Sequence, residues 1–493
     1  MAAHDHAHHG RLQGPLLWAI TGAGGFGLGW LITALIPPVI HDGHPVIPLW
    51  LVTPFVALLG SIALMPFINA RFWHRHYPDF AFFLGGVVVG YYLTGLSTPF
   101  HGSTYGRYTM VHTLVEYYSF IALVGGLYIV SGGILVDLRG RGNPRLNTGL
   151  LAAGAILANL VGTTGASMLL IRPFMRINRG RLRPLHIIFF IFIVSNVGGS
   201  LTPIGDPPLY LGYLKGVPFT WTLFNLSADW AFVVGILLAI FFVIDWRIGP
   251  ARTESGPPLA HEPLAEALID EEIHARPGLR IRGAVGLVCL ALMIAGVFID
   301  PLLERLWHIR GYPIGATFQV LVAGAAYALA PREYLRENDF SFGPVKEVAL
   351  LFLGIFAAMA PALAYLAANG SRLGIGSPTS LYFATGALSA VLDNAPTYLN
   401  FLQVAIGDQE MTRQVVHEFA TAPGKNLALH AISTAAVFFG AMTYIGNGPN
   451  FMVKAIAEAA AVPMPSFIAY LLRACLILLP VLVLHWLVFI CFA

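Results

Sequence analysis

Charge is scarce in this sequence. Asp, Glu, Lys and Arg make up 11% of its 493 residues, against about 25% in soluble globular chains. With 57% hydrophobic residues and a mean hydropathy of +0.71, that scarcity excludes a soluble fold. Cysteine is nearly absent as well. Cys289, Cys475 and Cys491 lie inside apolar runs, without the spacing of a disulfide or ligand set, and read as small core residues. HExxH, GxSxG and Gly-rich phosphate-loop motifs are all missing, which leaves a membrane enzyme without its usual machinery. No catalytic residue or cofactor is expected. A formal charge of +3 gives no reason to expect nucleic acid as a partner.

What is present is a series of apolar runs near the ~20 residues that cross a bilayer. They fall at about 15–37, 46–69, 79–97, 111–136, 185–213, 229–245, 283–303, 312–330, 346–368, 427–457 and 467–491. The run at 185–213 is unusual: its middle, SNVGGSLTPIGDPP from Ser195, holds Pro, Gly and an aspartate where a helix should continue. The run at 427–457 is broken in the same way by TYIGNGP from Thr443. Non-helical backbone survives at membrane depth only inside protein or beside a wet cavity. Both breaks therefore point to a binding site.

Two further apolar segments, 147–173 and 378–406, are interrupted by small and polar residues. Arg139, Arg141 and Arg145 precede the first, and Arg172, Arg176, Arg179, Arg181 and Arg183 follow it. The positive-inside rule places both clusters in the cytoplasm, so the segment reads as a re-entrant hairpin from that side. The second, with sparsely charged flanks, reads as a hairpin from outside, and the N-terminus is cytoplasmic. The chain is then an all-α polytopic membrane protein of two inverted-topology repeats. Each repeat has leading helices, a glutamate-bearing helix, a re-entrant hairpin, a broken transmembrane helix and a closing helix. Residues 1–45 form a His-rich tail and one extra helix, 46–245 repeat 1, 246–282 a cytoplasmic linker, and 283–493 repeat 2. Internal matches support the pairing: Glu116 falls over Glu347, TTGAS (Thr163–Ser167) over DNAPT (Asp393–Thr397), and TPIGDPP over TYIGNGP. Inverted repeats with broken helices mark secondary transporters, whose substrate site lies near the midplane.

Ionisable residues inside a membrane are functional by default. Asp206 and Asp393 are the expected ion-binding and proton-coupling residues, Asp393 being the stronger because Thr163 stands opposite it in the repeat. Either could instead cap the helix that follows it. Ser195, Asn196, Thr202, Asn394, Thr397, Thr443, Asn447 and Asn450 supply neutral oxygens at the breaks, with Thr164 and Ser167 in the first hairpin. Hard cations prefer such oxygens, so sodium is expected at Asp393, Asn394 and Asn196. Glu116 follows His112 by four residues on one helix face; the pair reads either as a proton carrier or as an interfacial pair. Glu347 reads either as a proton carrier or as a helix-start residue.

SNVGGSLTPIGDPP, SAVLDNAPTYLNF and GAMTYIGNGPN resemble the motifs of the ion transporter superfamily. The likeness covers most of residues 46–491 and is nearest the NhaD-type sodium/proton antiporters and the citrate-transporter-like families. The resemblance implies a homodimer whose subunits each carry a scaffold and a mobile transport domain, working by an elevator movement in the inner or plasma membrane of a bacterium. Two carboxylates and no arginine in the central motifs favour sodium, or lithium, exchanged for protons. Cation-coupled citrate or dicarboxylate transport is the alternative. The expected partners are the lipid bilayer, a small inorganic cation and protons, or a carboxylate on the alternative reading.

Overall fold

The computed structural model describes residues 13–41, 44–249, 278–308, 311–422 and 426–492. The histidines of the N-terminal tail and most of the linker expected at 246–282 lie outside the described residues. The described chain is overwhelmingly helical, because in lipid a helix satisfies its own backbone groups. In order, the helices are α1 (Gln13–Leu35), α2 (Thr53–Gly95), α3 (Tyr105–Gly132), α4 (Pro144–Ile177), α5 (Pro184–Ile193), α6 (Pro207–Lys215) and α7 (Trp221–Ile248). There follow α8 (Ala284–Val297), α9 (Ile299–Trp307), α10 (Ile314–Leu329), α11 (Arg332–Glu337) and α12 (Gly343–Asn369). The last are α13 (Pro378–Val391), α14 (Asn394–Ile406), α15 (Arg413–Thr421), α16 (Asn426–Phe439), α17 (Gly448–Ala459) and α18 (Phe467–Trp486). Among the described residues, 8 helices are long and apolar enough to cross a membrane, or 9 if the bent pair α8–α9 counts as one span. The chain is a multi-pass integral membrane protein.

Among the described residues three two-stranded antiparallel ladders interrupt the helices, the longest pairing Leu135–Arg139 with Gly278–Arg282. The apolar run expected to stay helical to residue 136 thus stops at Gly132 and turns into a strand. The connection expected between residues 69 and 79 is helical too. α2 runs for 43 residues and bends at Asn69, whose φ of −154° and ψ of 85° leave the helical region. Asn69 Oδ1 then accepts the Phe72 N–H at 3.0 Å, which restarts the helix on a side-chain cap.

The chain forms two compact units. The first holds residues 1–121, 343–376 and 399–415, and so contains α1, α2, most of α3 and α12. Small residues set its packing, as expected where lipid removes the hydrophobic drive for helix association. A Cβ on Gly25 would run into the Phe83 carbonyl, one on Gly29 into that of Val87, and one on Gly90 into that of Phe26. These glycines let α1 and α2 touch backbone to backbone. Gly90→Leu is expected to push them apart and to destabilise the first unit by about 1–3 kcal/mol, read as a lower melting temperature of the detergent-solubilised protein. An unchanged melting temperature would mean that α1 is not held through these glycines.

The second unit holds residues 122–342, 377–398 and 416–493. In it α4 is a helical hairpin. Its turn is Gly162, whose φ of +77° suits glycine. Its ends meet, since the Gly142 N–H donates to the Ile177 carbonyl at 2.7 Å. The arms of two broken helices run through the interior: residues 187–193 of α5 and 431–439 of α16 are buried at every position, the pattern of a helix surrounded by protein. α7 and α18 pack beside them.

Candidate functional site

α5 ends at Ile193, the chain passes a 3-10 turn at Val197–Leu201, and α6 restarts at Pro207 behind Asp206. α16 ends at Phe439, turns at Gly440–Met442, and α17 restarts at Gly448 behind Asn447. The prolines at 207, 208 and 449 fit a first helical turn, where a missing N–H costs nothing. Glycine lets each break fold back on itself. A Cβ on Gly205 would meet the Gly199 backbone, and one on Gly446 would meet the Gly440 backbone.

Backbone groups freed at the breaks are taken up by side chains, as a buried position demands. Asn159 of α4 accepts the Leu201 N–H at 2.7 Å and donates to the Gly198 carbonyl at 2.6 Å. Asn450 donates to the carbonyls of Gly440 and Thr443 at 2.8 and 2.9 Å. Thr202 donates its hydroxyl to the Asn159 carbonyl at 2.6 Å, and Thr443 donates to that of Ala390 at 2.5 Å. The two threonines therefore latch each break to its neighbouring helix.

Asp206 lies at the centre of what remains. Its Oδ1 accepts from Thr163 Oγ1 at 2.8 Å and Asn447 Nδ2 at 2.9 Å, and its Oδ2 accepts from Asn394 Nδ2 at 2.7 Å. It makes no capping bond to its own helix. All three donors are neutral, the carboxylate is buried, and among the described residues no ion pair involves it. Asn394 Oδ1, also buried, has no hydrogen-bond partner among the described residues. Around this core Asn447 donates to Asn196 Oδ1 and to the Ser195 carbonyl, both at 3.2 Å, and Asn196 donates to Asn450 Oδ1 at 2.7 Å. Ser195 and Ser167 share a hydrogen bond of 2.8 Å between their hydroxyls. Beside Asp206 lies a cavity of about 20 Å³, lined also by Thr163, Thr164 and Gly205, enough for one water-sized particle.

These contacts place a second set of equivalences inside the unit. The Thr163 N–H donates to the Gly205 carbonyl at 2.8 Å, and the Asn394 N–H donates to the Gly446 carbonyl at 3.2 Å. Thr163 thus corresponds to Asn394, one residue away from the register that set it over Asp393. Asp393 also has a different setting from Asp206. It is half-buried, and its Oδ1 accepts the Ala395 N–H at 3.0 Å, a bond that helps start α14. Thr397 donates to the Asp393 carbonyl at 2.9 Å, a helix-internal bond. Asp393 makes a capping bond at the start of α14, and Asp206 is the carboxylate turned toward the polar cluster.

Glu116, His112 and Glu347 belong to the other compact unit. His112 Nδ1 and Glu116 Oε1 are 3.3 Å apart, with the His112 side chain largely exposed. Thr163 is not among the site residues expected from the sequence, although TTGAS contains it, because its bond to Asp206 spans 43 residues. Nor is Asn159, a lone amide in an apolar run whose role appears only when the break is packed against it.

Two apolar helices are each broken beside one buried polar cluster, and the family match gives the class: this is a transporter. The chain matches the family described as "Putative citrate transport" over residues 44–490 and belongs to it. It is also similar to two curated proteins named as uncharacterized transporters, one from Mycobacterium bovis and one from Mycobacterium tuberculosis. Each is 26% identical over 344 residues, which cover 66% of this chain and 72% of the relative.

Proposed function

We propose that this transporter exchanges sodium, or lithium, for protons, and that Asp206 is the group both compete for. The observation that carries the reading is the Asp206 carboxylate, buried and, among the described residues, held by neutral donors alone. A buried carboxylate without a cationic partner is costly. One sodium ion or one proton neutralises it, and the two exclude each other. Asn394 Oδ1, unpartnered beside it, is the neutral oxygen a hard cation takes as a ligand. The sodium site first expected at Asp393, Asn394 and Asn196 is thereby recentred on Asp206 and Asn394. In this reading the repeats are inverted in the membrane, the unit that holds the cluster is the moving part of an elevator, and the protein is a homodimer.

Cation-coupled citrate transport is the second reading, favoured by the family match. There Asp206 holds the coupling cation, and the carboxylate binds beside it. Purified protein in liposomes with a trapped pH-sensitive dye separates the two. Sodium and lithium, but not potassium or citrate, are expected to move protons. Proton movement with citrate alone, together with uptake of labelled citrate, would overturn exchange in favour of the second reading.

A further inference from the structure

A second polar cluster joins the arm of one broken helix, α16, to the neighbouring α7 and α18. Asp229 of α7, His430 of α16 and His485 of α18 are far apart in sequence, yet both histidines place Nε2 at 2.6 Å from the same oxygen, Asp229 Oδ1. Asp229 Oδ2 is buried and has no hydrogen-bond partner among the described residues. Asp229 and His485 are buried, and the His430 side chain retains 15% exposure.

Asp245, further along α7, shows what a finished carboxylate clamp looks like. Its two oxygens take Arg181 NH2 at 2.6 Å, His186 Nε2 at 2.8 Å and Asn147 Nδ2 at 2.8 Å, so charge and lone pairs are both met. Asp229 has no arginine and one idle oxygen.

The wiring of His485 adds an independent constraint. Tyr382 directs its hydroxyl proton to the Leu482 carbonyl at 3.0 Å, and His485 Nδ1 lies 3.0 Å from the same hydroxyl oxygen. With that proton so used, Nδ1 must be the donor to Tyr382. A neutral imidazole then presents a bare lone pair at Nε2, aimed at a carboxylate. Something positive has to sit between them. A hydrogen-bonded Nδ1 behind a forward-facing Nε2 is also how metal-ligating histidines are oriented.

We propose that Asp229, His430 and His485 form a binding site for a divalent first-row transition ion of the zinc type. Two imidazole nitrogens and a carboxylate are the donors such ions prefer, and the idle Asp229 oxygen allows bidentate ligation. Zinc–ligand bonds of about 2.0–2.2 Å require the donor atoms to spread from hydrogen-bonding distance by less than about 1 Å. The partly exposed His430 side is the route of entry and the position open to water. The ion would tie α7 and α18 to α16, the helix that leads into the break at Gly440.

The test uses the full chain with His4, His6, His8 and His9 replaced by Ser, so that the tail cannot bind metal. After chelation, the purified protein is incubated with zinc, desalted and assayed for metal, and parallel samples take cobalt for absorbance spectra. The site predicts about one zinc per chain and a visible cobalt ligand-field band. Both should fall at least tenfold in His430→Ala, chosen because its side chain is the least buried of the three, and in Asp229→Asn. Size-exclusion profiles establish that each variant is folded. Absence of zinc and of the cobalt band in the tail-substituted parent overturns the site whatever the variants do, and assigns a proton to the cluster instead. Equal zinc in the parent and in a folded His430→Ala also overturns it.

Discussion

Asp206→Asn is expected to abolish cation exchange while leaving the protein folded and inserted. The substitution removes the carboxylate charge that Thr163, Asn394 and Asn447 surround. A charge-assisted contact is worth up to about 3 kcal/mol, so cation affinity should fall about 100-fold or more. The fold should tolerate the change for a reason specific to this site. The new amide keeps an oxygen for Thr163 and Asn447 and turns its NH2 toward Asn394. Asn394 carries an idle Oδ1, so rotating its amide restores the bond. Asp206→Ala lacks this remedy and strands three donors. Asp393→Asn is the paired control: its bond to the Ala395 N–H survives in the amide, and exchange should be largely retained. Dye-loaded liposomes report all three. Loss of exchange in Asp393→Asn with retention in Asp206→Asn would reverse the assignment.

The largest stability effect is expected elsewhere, at Arg181→Met. Arg181 is almost wholly buried and holds the buried Asp245 through NH2 at 2.6 Å and NH1 at 3.3 Å. It also donates to the carbonyls of Asp245 and Gly249. Removing one partner of a buried ion pair costs about 3–5 kcal/mol, because the other charge stays behind unpaired. His186 and Asn147 remain on Asp245 but supply no permanent charge. The melting temperature in detergent should drop sharply, while exchange per folded molecule, measured well below that temperature, should persist. A melting temperature within error of the wild type would mean that the pair adds nothing net.

Much of this was legible in the sequence, and the rest was hidden for identifiable reasons. Apolar runs and scarce charge were enough for a polytopic helical protein. The breaks at Asp206 and Asn447 announce themselves through Pro207-Pro208, Gly199, Gly205 and Gly446, residues that end helices or let backbone approach backbone. The relative weight of the two aspartates was not visible. Asp206 and Asp393 both precede a helix, and only hydrogen bonds spanning 188 and 241 residues distinguish a clustered carboxylate from a capping one. Asp229, His430 and His485 have no shared spacing, so three single polar residues in separate apolar helices gave no motif to find. The strand at Leu135–Arg139 follows an apolar run with no break before Gly132, and its partner lies more than a hundred residues on.

The most direct measurement is equilibrium binding of radioactive sodium to purified wild type, Asp206→Asn and Asp393→Asn across a range of pH. Wild type and Asp393→Asn should bind sodium saturably, with affinity weakening as pH falls and protons take the Asp206 carboxylate. Asp206→Asn should show no saturable, pH-sensitive binding. Undiminished sodium binding by a folded Asp206→Asn would contradict a cation site centred on Asp206.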